Sequence, residues 1–208
     1  MVRDGTVLAE DEYRESRSHT ATLPALVDQV LARAALSIDD VEALAVSIGP
    51  GSFTGLRIGL ALAKGIALAG GLPVVGVPTL EALAWVAEAS PGQTICAALD
   101  ARKREVYAAL FAATGGAPRR LSPDLALSPE VLVGRLTPPC VVVGDASEVY
   151  GALLGARAVL RPFATHHPRG GVIARLGFER LLAGEGGNPG PLEPTYVRAP
   201  DAELPRSR

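Results

Sequence analysis

Residues 49–57 read GPGSFTGLR and constrain the fold more than any other part of the chain. They lie between an apolar stretch typical of a buried strand, residues 41–48, and a helical pattern that runs to about Gly71. A strand, a glycine-rich turn and a helix start place backbone N–H groups and the positive end of a helix dipole at one point. This layout predicts a turn that meets an anion or a closely packed backbone. A glycine-rich turn with no ligand is the alternative interpretation.

The amino-acid sequence of the turn excludes two common nucleotide-binding motifs. A P-loop requires a lysine that reaches the terminal phosphates, and residues 49–57 contain none. A dinucleotide-binding turn would have its third glycine at Thr54 rather than at Gly55, and an acidic residue about 20 positions further on. That acidic residue is absent as well, so the turn belongs to neither class.

Composition narrows the function classes. The chain has 208 residues, a net charge of −2 and 48% hydrophobic residues, enough for one large domain or two compact lobes. A near-neutral balance argues against a protein that binds nucleic acid by itself, because such domains usually carry a basic excess. Cys96 and Cys140 lie in apolar runs without metal-ligand spacing, and the N-terminus lacks a signal-peptide core. We therefore expect buried thiols, a cytoplasmic location and no membrane span.

The order of the predicted elements indicates an α/β protein with mixed sheets. Asp4 and Gly5 predict a hairpin turn, and two strands, 94–99 and 105–111, flank a polar turn. Helical patterns are predicted near 149–154 and 172–183. The dipeptide Pro91-Gly92 is the natural lobe boundary. It predicts a first lobe at 1–90 and a second at 91–208.

Two helices have unusual faces. The first carries an apolar stripe with helical spacing, and its proline at position 24 is expected in the first turn; the stripe contains Leu23, Leu26, Val27 and Val30. The second has a small residue at every fourth position, namely Gly55, Gly59, Ala63, Ala67 and Gly71. Residues four apart form one ridge along a helix, so a neighbouring helix could approach this ridge closely.

Four segments together resemble the bacterial TsaB family, also called YeaZ. They read DGTVLAE, SHTATLPALVDQVL, SIGPGSFTGLRIGLALAKGIALAGGLPVVGVPTLEALA and ALDARKREVYAALF. The resemblance implies an actin-like ATPase (ASKHA) fold with two related lobes. It also implies a role as partner of TsaD, which transfers a threonylcarbamoyl group to the tRNA adenosine beside the anticodon. The ATPase TsaE would join a larger complex, and this chain would contact tRNA only as part of that complex.

By the same resemblance, this chain would be a scaffold and not an enzyme. TsaD carries two metal-binding histidines four residues apart, and the equivalent positions here are Thr79 and Leu83. An isobutyl group cannot bind a metal and a lone hydroxyl binds one poorly. The chain's histidines, His19 and the adjacent pair at 166 and 167, do not rebuild such a site, so we expect no metal and no required cofactor.

A nucleotide at the interface with TsaD is left open by the resemblance. The candidate phosphate contacts are Gly49, Gly51, Ser52, Thr54 and Gly55 in the turn, with Asp145 from the second lobe; a strand-end cap is the other interpretation of Asp145. Family members normally begin with a strand of the type ILAIDTS, which this sequence lacks at its start. We therefore expect a first strand to be missing and the natural reading frame to begin upstream.

The predicted interface with TsaD is a four-helix arrangement. It would use Leu23, Leu26, Val27 and Val30 from the first helix and Arg57, Gly59, Ala63 and Ala67 from the second. Without TsaD the same surface could form homodimers. The alternative is that both faces pack on the protein's own sheet. Two other function classes stay open, an autonomous actin-like ATPase or kinase and a glycoprotease-like protein. The basic residues 102–104 could meet RNA or form a solvated turn.

Overall fold

The computed structural model describes residues 1–12 and 19–198, including all their side chains except those of residues 19–21. The strands are β1 (Val2–Arg3), β2 (Thr6–Val7), β3 (Leu44–Gly49), β4 (Val74–Pro78), β5 (Thr94–Arg102), β6 (Glu105–Ala112), β7 (Arg119–Arg120), β8 (Leu125–Leu127), β9 (Cys140–Val143) and β10 (Val159–Leu160). The helices are α1 (His19–Arg33), α2 (Phe53–Gly70), α3 (Thr79–Trp85), α4 (Pro129–Arg135), α5 (Ala146–Val149), α6 (Gly151–Leu154) and α7 (Gly170–Leu182). Strands and helices are interspersed, with runs of consecutive strands at β1–β2 and β5–β8, as expected for an α/β protein with mixed sheets.

The chain forms two compact units, but not the two predicted ones. The first unit combines Met1–Ala82 with Pro168–Pro194, and the second combines Leu83–His167 with the described residues from Thr195 onward. The predicted division into 1–90 and 91–208 is therefore wrong both in its boundary and in treating the second lobe as continuous. The cause is α7, which comes late in the chain and packs against β3 and β4 of the first unit.

In the first unit, β3 and β4 form a parallel pair. Their register runs from Leu44 opposite Val74 to Ser47 opposite Val77. Parallel neighbours require a crossover connection, and α2 provides it. Gly76 has little space around it, since an added Cβ would lie 2.8 Å from the Ile48 side chain. The expected strand at 41–48 is thus present, three residues shorter at its start.

The N-terminal hairpin forms where Asp4 and Gly5 predict it. Both residues have positive φ, 50° and 77°, and the strands on either side are two residues long. Among the described residues, β2 pairs only with β1 and β3 only with β4. One edge of β3 is therefore without a strand neighbour in the described part of the chain. This explains why most of β3 is half-buried rather than buried as predicted.

The second unit is built on a mixed sheet with the strand order β10-β9-β5-β6-β7, and β8 also pairs with β6. β5 runs parallel to β9 and antiparallel to β6. A buried cluster packs on this sheet and consists of Cys96, Ala98, Val106, Ala108, Leu132, Leu136, Cys140, Val142, Ala146 and Leu154. Both cysteines are free and buried, as predicted from their apolar surroundings.

Two helix boundaries differ from the sequence expectation. α1 begins at His19, so Pro24 is its sixth residue and lies in the second turn rather than the first. Proline there leaves the carbonyl of the residue four positions earlier without its helical donor. The predicted helix at 149–154 is two four-residue helices, α5 and α6, with a break at Tyr150, whose φ of −117° is not helical.

Candidate functional site

The strand, turn and helix predicted around residues 49–57 are present. β3 ends at Gly49, which has a φ of +105°, and α2 begins at Phe53. The hydroxyl of Ser52 accepts a hydrogen bond from the backbone N–H of Gly55 at 3.3 Å and so caps the helix. Glycine is needed at position 49, because residues with a Cβ rarely adopt this φ.

The turn brings together five of the six predicted phosphate contacts. Gly49, Gly51, Ser52, Thr54 and Gly55 all lie within it. The hydroxyl of Ser52 already serves as the helix cap. The groups left to contact an anion are backbone N–H groups of the first turn of α2 and the exposed hydroxyl of Thr54. Nucleotide binding at this turn stays a prediction.

Asp145, the sixth predicted contact, belongs to the second unit and follows β9. Its carboxylate accepts the backbone N–H of Asp100 at 2.8 Å, which ties the end of β9 to the end of β5. Desolvation by burial is the main cause that raises the pKa of Asp145 above its ordinary value. The side chain thus has a structural role at a strand end, and it makes no capping hydrogen bond to α5.

The surface of α2 is the most unusual part of the first unit. The helix has 18 residues and is strongly apolar, yet only Leu60 and Ala67 are buried. Leu68 is 70% exposed and Phe53 is 41% exposed. By length and composition alone this helix could cross a membrane, but it packs along β3 as the crossover helix of the β3–β4 pair. Its apolar outer surface is therefore left uncovered by the described chain.

The predicted small-residue ridge on α2 is only partly available to another molecule. Ala67 is 1% exposed and lies in the protein's own core, so its assignment to a partner interface is wrong. Gly59 and Ala63 are half-buried. A Cβ added at Gly59 would have no neighbour within 4 Å, so packing within this chain does not require glycine at that position.

A second small-residue ridge on α2 was missed by the sequence reasoning. Ala61, Gly65 and Ala69 are also four residues apart, and all three are exposed. Gly65 lies roughly 120° around the helix from Gly59, at 100° per residue. A Cβ at Gly65 would likewise meet nothing within 4 Å. The same four-residue spacing was readable in the sequence, but only the fold shows which ridge faces outward.

The predicted apolar stripe belongs to α1, the helix next to α2. α1 packs against α2. Among the aliphatic side chains of α1 that the structure describes, only Leu31 is buried, at 7% exposure. The four predicted interface residues are all half-buried, and they are Leu23, Leu26, Val27 and Val30. The name docking surface is used below for a candidate interface on α1 and α2. It consists of this stripe, of Gly59 and Ala63, and of the ridge of Ala61, Gly65 and Ala69. Arg57 lies at one end, with its guanidinium 3.9 Å from the centre of the Phe53 ring.

The two positions compared with metal-binding histidines are occupied in other ways. The hydroxyl of Thr79 shares a 2.7 Å hydrogen bond with the hydroxyl of Ser47. Leu83 is 0% exposed and belongs to the core. No group of three or more potential metal ligands occurs among the residues that the structure describes.

The adjacent histidines differ in their surroundings. His166 contacts the hydroxyl of Thr165 at 2.8 Å through Nδ1, and its Nε2 lies 3.4 Å from the carboxylate of Glu88. His167 is 8% exposed and packs edge-on against Phe163. His167 is therefore a buried side chain that a neighbouring aromatic ring helps to cover. The side chain of His19 lies outside the described residues.

Comparison with known proteins identifies relatives over most of the chain. The family profile described as "TsaD: tRNA N6-adenosine threonylcarbamoyltransferase" matches residues 7–141. The Bacillus subtilis protein named "tRNA threonylcarbamoyladenosine biosynthesis protein TsaB" is 31% identical over 98% of this chain and 90% of its own length. The Escherichia coli protein of the same name is 46% identical over 50% of this chain, and the match spans 45% of that relative.

Solved structures agree with the sequence relatives. "YeaZ from Pseudomonas aeruginosa" superposes with a TM-score of 0.74 and 29% sequence identity, over 86% of this chain and 84% of that protein. This likeness confirms the predicted α/β actin-like fold. From the whole-length match to the Bacillus subtilis protein and the likeness to YeaZ, the chain belongs to the TsaB (YeaZ) family.

Proposed function

We propose that this chain is a non-catalytic subunit in the biosynthesis of threonylcarbamoyladenosine in tRNA, and that it binds and activates a TsaD protein through the docking surface on α1 and α2. The single observation that carries the proposal is the exposure of α2, an apolar helix of 18 residues of which two are buried. Soluble proteins rarely leave such a surface uncovered unless another protein binds there.

The shape of the surface suits a helical partner. The exposed ridge of Ala61, Gly65 and Ala69 has no long side chains, so a helix of the partner could approach at the short end of the usual ~8–10 Å range. The half-buried stripe of α1 would add apolar area, worth roughly 25 cal/mol per Å² before the costs of association are subtracted. A four-helix arrangement with two helices of TsaD uses both features.

The chemistry of Thr79 and Leu83 supports the non-catalytic part of the proposal. One side chain is engaged with Ser47 and the other is buried, and neither suits a metal ion. In this proposal the chain works in the cytoplasm, TsaE joins the TsaB–TsaD pair, and tRNA meets the assembled complex. A nucleotide between TsaB and TsaD would contact the glycine turn, and the chain alone would form homodimers through the same helices.

The test is co-purification with TsaD from one bacterium, followed by an assay of threonylcarbamoyl transfer to tRNA with and without this chain. We expect a stable complex, transfer only when both proteins are present, and no ATP turnover by this chain alone. A chain that turns over ATP by itself, or that leaves transfer by TsaD unchanged, would contradict the proposal.

Two leucine substitutions locate the contact. Gly65→Leu should weaken TsaD binding by roughly 10- to 100-fold, because the added side chain forces the helices apart. Gly59→Leu tests the half-buried ridge in the same way. Gly134→Leu is the matched control, since Gly134 is also an exposed helical glycine with no neighbour within 4 Å of a Cβ, but on α4 of the second unit. Full binding by folded Gly59→Leu and Gly65→Leu variants would remove both ridges from the interface.

Alanine substitutions at the same glycines separate binding from folding. Gly65→Ala adds one methyl group in open space on a helix, so it should raise the free energy of unfolding of the chain by about 0.5–1 kcal/mol. TsaD binding by this variant should change far less than with leucine. A chain destabilised by Gly65→Ala would show that the glycine serves its own fold.

A further inference from the structure

The turn between β5 and β6 has an unusual backbone. Arg102 pairs with Glu105, so Lys103 and Arg104 form a two-residue hairpin loop. Arg102, Lys103 and Arg104 all have positive φ, 61°, 53° and 60°. Two-residue loops with positive φ at both positions strongly favour Asn-Gly, because these residues tolerate the left-handed conformation. This chain has two long cationic side chains there instead.

The choice of residues is costly for folding. A residue with a Cβ in the left-handed conformation lowers the folding equilibrium constant by a factor of roughly 5 to 30 relative to its ordinary conformation. Three such residues in succession persist only where the surrounding structure holds them. Strained backbone of this kind clusters at functional positions.

The contacts around the turn show how it is held. The carboxylate of Asp100 accepts the backbone N–H of Arg102 at 3.0 Å and lies 3.3 Å from its guanidinium. At the start of β6, Glu105 forms an ion pair with Arg198. The same arginine donates a hydrogen bond to the carbonyl of Ala101 in β5 at 3.3 Å. Both ends of the turn are therefore fixed by side chains.

Two ion pairs and two further basic side chains lie at or beside the turn. Arg102 compensates Asp100, and Arg198 compensates Glu105. Lys103 and Arg104 are exposed at the end of the hairpin. Glu130 at the start of α4 lies close enough to interact electrostatically with Arg104. The tip therefore presents two exposed basic side chains on a chain whose net charge is −2.

We infer that Lys103 and Arg104 contact the phosphate backbone of RNA, and that the strained turn is retained because it holds both cations outward. The inference rests on the proposed function, in which the complex acts on tRNA. Charge complementarity selects the occupant, since ammonium and guanidinium groups are the usual donors to phosphate. Such contacts position the RNA and carry no sequence information.

The experiment measures binding of fluorescently labelled tRNA at several salt concentrations, both to the chain alone and to its complex with TsaD. The double variant Lys103→Asn with Arg104→Gly removes both charges and relieves the strain. The double variant Lys103→Gln with Arg104→Gln removes the charges and keeps the strain. Each lost phosphate contact reduces the slope of log affinity against log salt by about 0.7–0.9, so both variants should lose about 1.5 in slope and bind roughly tenfold more weakly.

Two further variants sharpen the result. Arg135→Gln with Arg157→Gln removes the same charge from two other exposed positions of the second unit and should leave the salt slope nearly unchanged. Glu130→Gln removes the acid beside Arg104 and should tighten tRNA binding several-fold. The Asn-Gly variant should also unfold at a higher temperature than wild type, which shows that its weaker binding is not a folding defect.

The outcomes are distinct. Unchanged salt slopes in both double variants overturn the inference, as does an equal loss in the Arg135/Arg157 control. Weaker TsaD binding with unchanged tRNA binding would assign the turn to an acidic protein surface and also overturns it. If no complex with TsaD forms, the docking proposal fails. The salt slopes of the chain alone, measured at low ionic strength where weak phosphate contacts persist, then decide the role of the turn.

Discussion

Gly177 of α7 lies directly against Ala45 of β3, with no room for a side chain between them. A Cβ added at Gly177 would clash with the Cβ of Ala45 and reach 4.0 Å from Val75 of β4. Through this contact a helix from the end of the chain joins the strand pair of the first unit. It is the physical reason why the first unit is built from two separate stretches of sequence.

Gly177→Ala is therefore expected to destabilise the chain. Alanine would normally stabilise a helix interior by about 1 kcal/mol, but here the methyl group pushes α7 off the sheet, so we expect a net loss of roughly 1–3 kcal/mol in the free energy of unfolding. Chemical denaturation of the isolated chain measures it. Gly170→Ala on the same helix has open space around its Cβ and should cause no loss. Equal stability of both variants would contradict the close contact.

A second prediction concerns Arg180, which fixes α7 to its surroundings. Its guanidinium donates to the carbonyl of Gly76 at 2.6 Å and to the carboxylate of Glu81 at 2.7 Å. Both charged side chains are only about a fifth exposed, at 21% and 22%. Arg180→Met should cost roughly 2–3 kcal/mol, since it leaves a charged acceptor and a carbonyl unpaired.

The matched control for Arg180 lies on the same helix. Arg175 pairs with Glu179 at 3.9 Å, and both side chains are 43–51% exposed. Ion pairs between solvent-exposed side chains contribute little to stability. Arg175→Met should therefore change the free energy of unfolding by less than about 0.5 kcal/mol. Similar effects of the two substitutions in urea denaturation would show that burial does not distinguish the pairs.

The third prediction is the pH dependence that Asp145 gives to stability. Burial raises the pKa of Asp145 in the folded chain above its ordinary value of 3.8, so the folded state holds the proton more readily than the unfolded state. This contribution therefore makes the fold less stable as pH rises from the ordinary pKa of 3.8 through the raised pKa of the folded chain. Asp145→Asn keeps an acceptor for the N–H of Asp100 without the charge. Its stability relative to wild type should increase from acid to neutral pH.

Asp145→Ala provides the contrast. It removes the acceptor as well as the charge, and the loss of this hydrogen bond should cost about 1 kcal/mol at acid pH. Thermal unfolding of the three proteins across the pH range measures both effects. An Asn variant whose relative stability falls towards neutral pH would show that the charged carboxylate is favoured in the folded chain.

The fourth prediction concerns the thiols. Burial raises the pKa of Cys140 to about 11, and it raises the pKa of the fully buried Cys96 further. The thiolate is the reactive form, so neither cysteine should react appreciably with iodoacetamide near neutral pH while the chain is folded. Mass spectrometry after labelling with and without denaturant checks this. Rapid labelling of the folded chain would show that the second unit opens.

Local sequence determined several elements of this protein. The turn at 49–57, the hairpin at Asp4 and Gly5, and the strands around residues 100–104 each depend on neighbouring residues, and all are present. Glycine and helix-capping preferences act over a few positions, so a single sequence displays them. The resemblance to TsaB rests on the same segments, which is why the family and the actin-like fold could be predicted.

Only the tertiary structure decided how those elements are divided between the two units and which helix faces are exposed. The apolar pattern of α7 shows that it packs on something, but not that its partner is β3, more than 100 residues earlier in the chain. Likewise, both small-residue ridges of α2 are visible as spacing, and the fold buries Ala67 and exposes Gly65. Periodicity gives the angle of a residue around its helix, whereas burial depends on what lies opposite, and that is set by distant residues.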